Sequence, residues 1–255
     1  MSNIWIICRK ELKSYFASPV AYVLLALFAV IIGYFFYAAT YYTVVRGMEA
    51  QMMGRGQPVN INEWIVSPVL MNASVIALFL IPMITMRLFA EEKRSGTIEL
   101  LTTSPVHDSE IIIGKWLAAF LMFAALLAVS ALNLAILFMY GNPDWRPIAV
   151  AYLGLLLQGG ALLAIGTFIS TLTKNQIIAA AGGFVVCLLL WVLSWTAEFD
   201  TTTTSKIVSY LSVVSHFEPF NRGVLDLKDV VFYVSVIFFG LFLTARSMES
   251  LRWRS

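Results

Sequence analysis

Six stretches without a single Asp, Glu, Lys, Arg or His constrain this chain more than any other feature. They are Val20–Tyr42, Pro68–Met86, Trp116–Tyr140, Ile148–Leu172, Ile177–Thr196 and Val230–Ala245. About 20 apolar residues in helical form cross the hydrocarbon core of a bilayer. The runs therefore predict six membrane-spanning helices, the last one short but extendable at either end. Ser67-Pro68, a capping residue followed by proline, predicts the start of the second span. The charged fraction agrees: 13% of residues are charged and 60% hydrophobic, against roughly 25% charged in a soluble domain. The expectation is an all-α membrane protein with one transmembrane domain over residues 1–255.

Lysine and arginine set the expected orientation. One face would carry eleven (Arg9, Lys10, Lys13, Arg87, Lys93, Arg94, Lys115, Lys174, Arg246, Arg252, Arg254) and the other six (Arg46, Arg55, Arg146, Lys206, Arg222, Lys228). The first face, with both termini, is read as cytoplasmic.

Missing chemistry narrows the function. Gly114-Lys115 has Ser109 where a phosphate-binding loop needs its first glycine, and neither HExxH nor GxSxG occurs. No catalytic role is expected, and no cofactor in this chain. An ion-coupled transporter usually keeps a charged group inside its spans; these spans hold no Asp, Glu, Lys, Arg or His, which argues against ion coupling and leaves the energy to come from a partner. A net charge of +2 gives no reason to expect nucleic acid. Cys8 and Cys187 stand apart without metal spacing and read as apolar fillers.

Between the spans, Met1–Ser18 does not read as a secretory signal, because its apolar residues precede the basic cluster. On a helix, Ile4, Trp5, Cys8, Leu12, Tyr15 and Phe16 share one arc, which Ile6 and Ile7 break; this predicts an interfacial helix lying along lipid. Residues 87–115 form a polar cytoplasmic segment with an apolar side, a bend at Gly96 and a stop at Ser104-Pro105. Outside, Thr43–Ser67 is read as a loop with a mobile Met48–Pro58 stretch. Residues 197–229 are read as a cap of re-entrant or interfacial helices, because Ile207–Val214 is apolar but too short to span. His216, Glu218, Arg222, Asp226 and Asp229 fall there; a single histidine without ligand spacing argues for salt-bridging rather than metal.

Within the spans, Asn72, Ser74, Ser130, Asn133, Gln158 and Thr167 could line a passage or serve as interhelical glue. Small residues four apart, at Gly160/Ala164, Gly166/Ser170 and Ala179/Gly183, predict close packing of spans four and five. A weakly polar conduit favours an amphipathic or lipidic substrate.

Three stretches carry a family resemblance: AEEKRSGTIELLTTSPV from Ala90, FISTLTKNQIIAAAGGF from Phe168 and SHFEPFNRGVLDLKDVVFYV from Ser215. Together they resemble the permease subunits of ABC-2-type exporters, especially the gliding-motility type. The resemblance implies half of a dimer in the bacterial inner membrane, paired with a second copy or a related membrane subunit. It also implies a separate ATPase, in two copies, that binds ATP and Mg. Carried over by position, the coupling element is Glu91, Glu92, Lys93, Arg94, Ser95, Gly96, Thr97, Glu99, Leu100 and Leu101. Arg9, Lys10 and Lys13, with Lys174, Asn175 and Gln176, are secondary contacts. An accessory periplasmic or membrane protein fits the same scheme. The alternative is a mechanical or assembly complex that moves no solute and acts on a periplasmic partner through the 197–229 cap.

Overall fold

The structure, a computed structural model, describes residues 3–54, 60–98, 106–195 and 210–252. Every regular element among them is helical. Helix α1 (Asn3–Ala17) is separated from α2 (Pro19–Met52) by Ser18, whose Oγ accepts from the Val20 amide at 3.3 Å. Proline at the first position suits this start. With 34 residues, α2 extends about 51 Å, well past the roughly 30 Å hydrocarbon core. Its last three turns were expected as loop. Thr43 donates to the Ala39 carbonyl at 2.8 Å, and no proline or glycine pair interrupts before Gly54, which takes φ +67°.

A π-helical turn, Asn62–Val66, runs directly into α3 (Ser67–Thr85). Ser67 is itself helical, at φ −59°, and makes no N-cap bond. The second span thus begins earlier than the Ser67-Pro68 pair suggested. Helix α4 (Ala90–Ser95) ends at Gly96, whose φ of +74° is the left-handed conformation that glycine supplies at helix ends. Helix α5 (Asp108–Tyr140) also starts early, so Asp108–Lys115, expected as the end of the cytoplasmic segment, is continuous with the third span. Helix α6 (Trp145–Leu172) is capped by Asp144, and α7 (Gln176–Val192), continued by a 3₁₀ turn at Leu193–Trp195, is capped by Asn175. The five-residue α8 (Phe217–Asn221) precedes α9 (Leu227–Arg252), whose 26 residues remove the doubt over the last span's length. Six helices are long and apolar enough to cross a membrane. The expected stop at Ser104-Pro105 and the cap stretch 197–209 lie outside the described residues, and so do Arg55, Lys206 and Arg254.

Helices α3 and α6 form the centre; α2, α5, α7 and α9 surround them. Glycines of α6 permit this. A Cβ on Gly159 would sit 2.1 Å from the Phe123 ring of α5, one on Gly166 would sit 2.4 Å from Thr85 of α3, and Gly240 of α9 approaches Ala164. The small residues of the fourth span therefore serve α3, α5 and α9. Spans four and five do pack on each other, through Gly182, where a Cβ would sit 3.3 Å from Ile169, while Gly183 faces Pro82 of α3. Polar seams supplement packing: Ser74 donates to Gln158 Oε1 at 2.8 Å, Gln158 Nε2 donates to the Ser74 carbonyl at 3.3 Å, and Ser130 pairs with the Tyr152 hydroxyl at 2.8 Å. Such bonds contribute about 0.6–2 kcal/mol each between helices in lipid.

The two ends of the bundle differ. At one, the foot end, α1 meets residues 87–98 and the start of α5. At the other, Asn62 bonds the Asp144 carbonyl at 2.8 Å, Asn221 bonds Ser67, and Gly223 abuts Pro147.

Candidate functional site: a buried joint at the foot end

Lys115 lies two turns into α5 and is 1% exposed. Its ammonium has three protons and three acceptors: Glu11 Oε1 of α1 at 2.9 Å, Glu92 Oε1 of α4 at 2.8 Å, and the Leu88 carbonyl at 2.8 Å. One cation thus ties three segments together. An ion pair taken out of water gains little net stability. Removing one partner is costly, because it strands a buried charge.

The neighbouring residues bring the segments close enough. Gly114 lets α1 approach: a Cβ there would sit 2.9 Å from the Ile7 side chain. Ile7 therefore belongs to the buried arc of α1 with Cys8 and Tyr15, while Trp5, Ile6 and Phe16 face outward. The sequence put Trp5, Cys8, Tyr15 and Phe16 on one arc along lipid, broken by Ile7; the approach of α5 divides that arc, with Cys8 and Tyr15 turned into the protein and Trp5 and Phe16 left outward. Tyr15 donates to the Ile84 carbonyl at 2.8 Å, and the Arg87 guanidinium carbon stands 4.0 Å from its ring centroid. Burial, above all, holds the Tyr15 phenol well above its ordinary range, and the Arg87 charge pulls it only part of the way back. Burial also raises the Cys8 thiol, with Glu11 adding to it. Asn3 donates to Glu110 Oε2 at 3.0 Å.

On its other side the foot is tied to α6 and α9. The amides of Phe89 and Ala90 both donate to Ser170 Oγ at 3.1 Å, Lys93 donates to the Thr171 carbonyl, and Thr171 Oγ1 donates to Ser247 Oγ at 2.8 Å. Between α1 and the foot lies a cavity of about 520 Å³, reaching Lys10, Glu11, Glu91, Glu92 and Lys115.

The expected coupling residues divide accordingly. Glu92 and Lys93 point inward and hold the foot, whereas Glu91, Arg94, Ser95, Gly96 and Thr97 are exposed. Glu99, Leu100 and Leu101 lie outside the described residues. Arg9, Lys10 and Lys13 are exposed along α1, as are Lys174 and Asn175. Asn175 also accepts from the Ile177 amide at 2.9 Å, and half-buried Gln176 begins α7. The pairing of Glu11 with Lys115 and the hold of Tyr15 on the foot went unread in the sequence, which placed Tyr15 only on the apolar arc of α1; a lysine directly bordering an uncharged run is the one local signal.

Of the expected passage residues, Ser130, Gln158 and Thr167 are buried and bonded inside the protein, Thr167 to the Leu163 carbonyl at 2.6 Å. Asn72 and Asn133 are half-buried. The cap residues resolve into separate pairs: Arg222 with Glu218 at 2.5 Å, Lys228 with Asp226 at 3.0 Å, and His216 with Asp229 at 2.6 Å. No group of three or more metal-ligating side chains occurs among the described residues.

Six long apolar helices with a charged foot fastened beneath them define a multi-pass membrane protein. A family model for the ABC-2 family transporter protein matches residues 5–244, and the chain belongs to that family. Over 169 residues it is 30% identical to the probable multidrug ABC transporter permease YbhR of Escherichia coli K12, and equally to that of strain O157:H7. The match covers 66% of this chain and 45% of the relative, so the chain spans about half the length of the curated relatives it matches.

Proposed function

We propose that this chain is the permease subunit of an ABC exporter of the inner membrane, driven by a separate ATPase that docks at the foot end. In this reading the foot end is cytoplasmic, the chain works as half of a dimer, and ATP with Mg is bound by the ATPase pair. The observation that supports it best is the Lys115 joint. A force applied to α4 passes at once to α1 and α5 through one buried ammonium, and to α6 and α9 through Ser170, Thr171 and Ser247. A docked partner that favours one arrangement of these helices shifts the equilibrium between arrangements. The exposed Glu91, Arg94, Ser95 and Thr97 would meet the partner, with Arg9, Lys10, Lys13 and Lys174 beside them. Glu92 and Lys93 hold the foot rather than touch the ATPase. The half-buried Asn72 and Asn133 are the better candidates for facing a substrate path, and an amphipathic or lipidic cargo suits such weakly polar walls. The gliding-motility resemblance bears on accessory subunits alone.

The test is charge reversal at the exposed positions. Glu91→Arg with Arg94→Glu should abolish co-purification with the ATPase while the permease still inserts. Unchanged co-purification contradicts the reading.

A further inference from the structure

The far end of α2 carries three methionines close together, Met48, Met52 and Met53, in the stretch MEAQMM. The uncharged run of that span ends at Tyr42. At about 1.5 Å of rise per residue, Met48 stands about 9 Å past that point and Met53 about 16 Å. The three side chains are 59%, 88% and 74% exposed. Neither the hydrocarbon core nor the bundle covers them, so they contribute no burial. What such a methionine still offers is its thioether sulfur.

The backbone brings the three sulfurs within reach of one point. Met48 and Met52, four apart on a helix, are neighbours on one face, about 5–6 Å apart at Cβ. Met53 is the C-cap, its amide closing the last turn onto the Glu49 and Gln51 carbonyls, and its side chain leaves the chain directly after that of Met52. Each methionine turns about three side-chain bonds, enough to converge beyond the helix end. The setting favours a cation there. The end of a 34-residue helix carries partial negative charge, and the guanidinium of Arg46 leans back over the Tyr42 ring, 5.1 Å from its centroid.

We propose that Met48, Met52 and Met53 form a binding site for a soft monovalent cation, copper(I), with silver(I) as its redox-inert analogue. Thioethers are soft ligands that select Cu(I), whereas carboxylate, carbonyl and water suit Mg²⁺ and Ca²⁺. The last turn supplies three thioethers against one exposed carboxylate, Glu49, a ratio that favours the soft ion. The site lies outside the His, Cys, Asp and Glu types, among which the described residues hold no metal cluster. Cys8 and Cys187 are buried elsewhere, and His216 is bonded at both nitrogens. A thioether has no proton to lose, so this site, unlike one of thiolate or imidazole, keeps its affinity in acid. Helix α2 leaves α1 at the foot end, which puts the methionines at the opposite end of the bundle. The inference rests on neither the proposed ATPase nor the direction in which that end faces.

The test uses the full chain in nanodiscs of phosphatidylethanolamine and phosphatidylglycerol, with carbon-13 in the methionine methyls. Silver nitrate is titrated in chloride-free buffer. Of the ten methionines, Met48, Met52 and Met53, assigned by single leucine substitutions, should shift together and saturate at one Ag(I) per chain. Met139, 78% exposed near the end of α5, serves as internal reference and should stay in place. Zinc sulfate should move none of the four. The combined Met48→Leu, Met52→Leu and Met53→Leu protein should lose the binding yet melt as wild type does without metal, since leucine matches methionine in helix propensity. Silver should raise the melting temperature of the wild type and leave that of the triple variant unchanged. The wild-type affinity should be equal at about pH 7.5 and about pH 5.5. Shifts that spread to Met139 without saturating, the same shifts with zinc, or an affinity that falls in acid each overturn the site. So does binding that survives the triple substitution. Should the triple variant misfold, the wild-type shifts read against Met139 decide the matter by themselves.

Discussion

The Arg87 guanidinium lies over the ring of Tyr15, 4.0 Å from its centroid, while the Tyr15 hydroxyl donates to the carbonyl of Ile84. One aromatic side chain of α1 thus holds both the last turn of α3 and the first residue of the foot. A desolvated cation–π contact stabilises by about 2 kcal/mol and a hydrogen bond by about 1 kcal/mol. Tyr15→Phe should lower the melting temperature slightly, and Tyr15→Leu clearly more. Because burial holds the phenol far above its usual range, the hydroxyl bond should persist into alkaline solution. A scan of thermal stability against pH, wild type beside Tyr15→Phe, checks this: the gap between them stays constant through mildly alkaline pH.

Lys115 permits a sharper comparison. Lys115→Ala leaves the carboxylates of Glu11 and Glu92 facing each other with their side chains only 15% and 13% exposed. It should cost about 3–5 kcal/mol. Glu11→Gln should cost less, because the ammonium keeps Glu92 and the Leu88 carbonyl. Pairing Glu11→Gln with Glu92→Gln should exceed the sum of the singles, since Lys115 is then left without a countercharge. Thermal melts of the purified protein, read as a double-mutant cycle, measure the coupling; strict additivity would remove Lys115 from the centre of the joint.

Glycine substitutions separate close packing from open surface. A Cβ at Gly159 meets the Phe123 ring at 2.1 Å, and Phe123 is 1% exposed, with no room to yield. Gly159→Ala should cost about 1–3 kcal/mol as overpacking. Gly33 has nothing within 4 Å, so Gly33→Ala should be neutral, or stabilise by up to about 1 kcal/mol through helix propensity. Parallel melts of the two variants decide it by their order.

Thiol labelling distinguishes passage from glue. Cys8 and Cys187 are both 1% exposed, which keeps the native background low. Asn72→Cys and Asn133→Cys should react with a membrane-permeant maleimide in the native complex, whereas Gln158→Cys should not, because it faces Ser74 inside the bundle.

The six spans, a break in the foot at Gly96 (read as a bend, found as the end of α4) and the basic, exposed face of α1 were legible because each is a local pattern: an uncharged run, a φ only glycine takes easily, a 3.6-residue period. What could not be read depends on distance along the chain. Lys115 finds Glu11 104 residues away and Glu92 23 residues away, and no spacing announces either. The Gly166 stripe declares that something approaches, not that it is Thr85 of α3. Thr43–Met52 looked like loop because methionine, glycine and glutamine cluster there, yet without a proline or a cap the preceding helix runs on through it. Composition decided that reading wrongly where helix continuity decides the structure.

The central claim is that the exposed foot receives the driving force from an ATPase. A photo-reactive amino acid placed at Arg94, with a second placement at Tyr41 on an exposed face of α2, would be irradiated in native membranes and its adducts identified by mass spectrometry. The account predicts that Arg94 captures the ATPase subunit and Tyr41 does not. An ATPase adduct at Tyr41 with none at Arg94, or labelling of Arg94→Cys by impermeant reagent from the outer side alone, would contradict it.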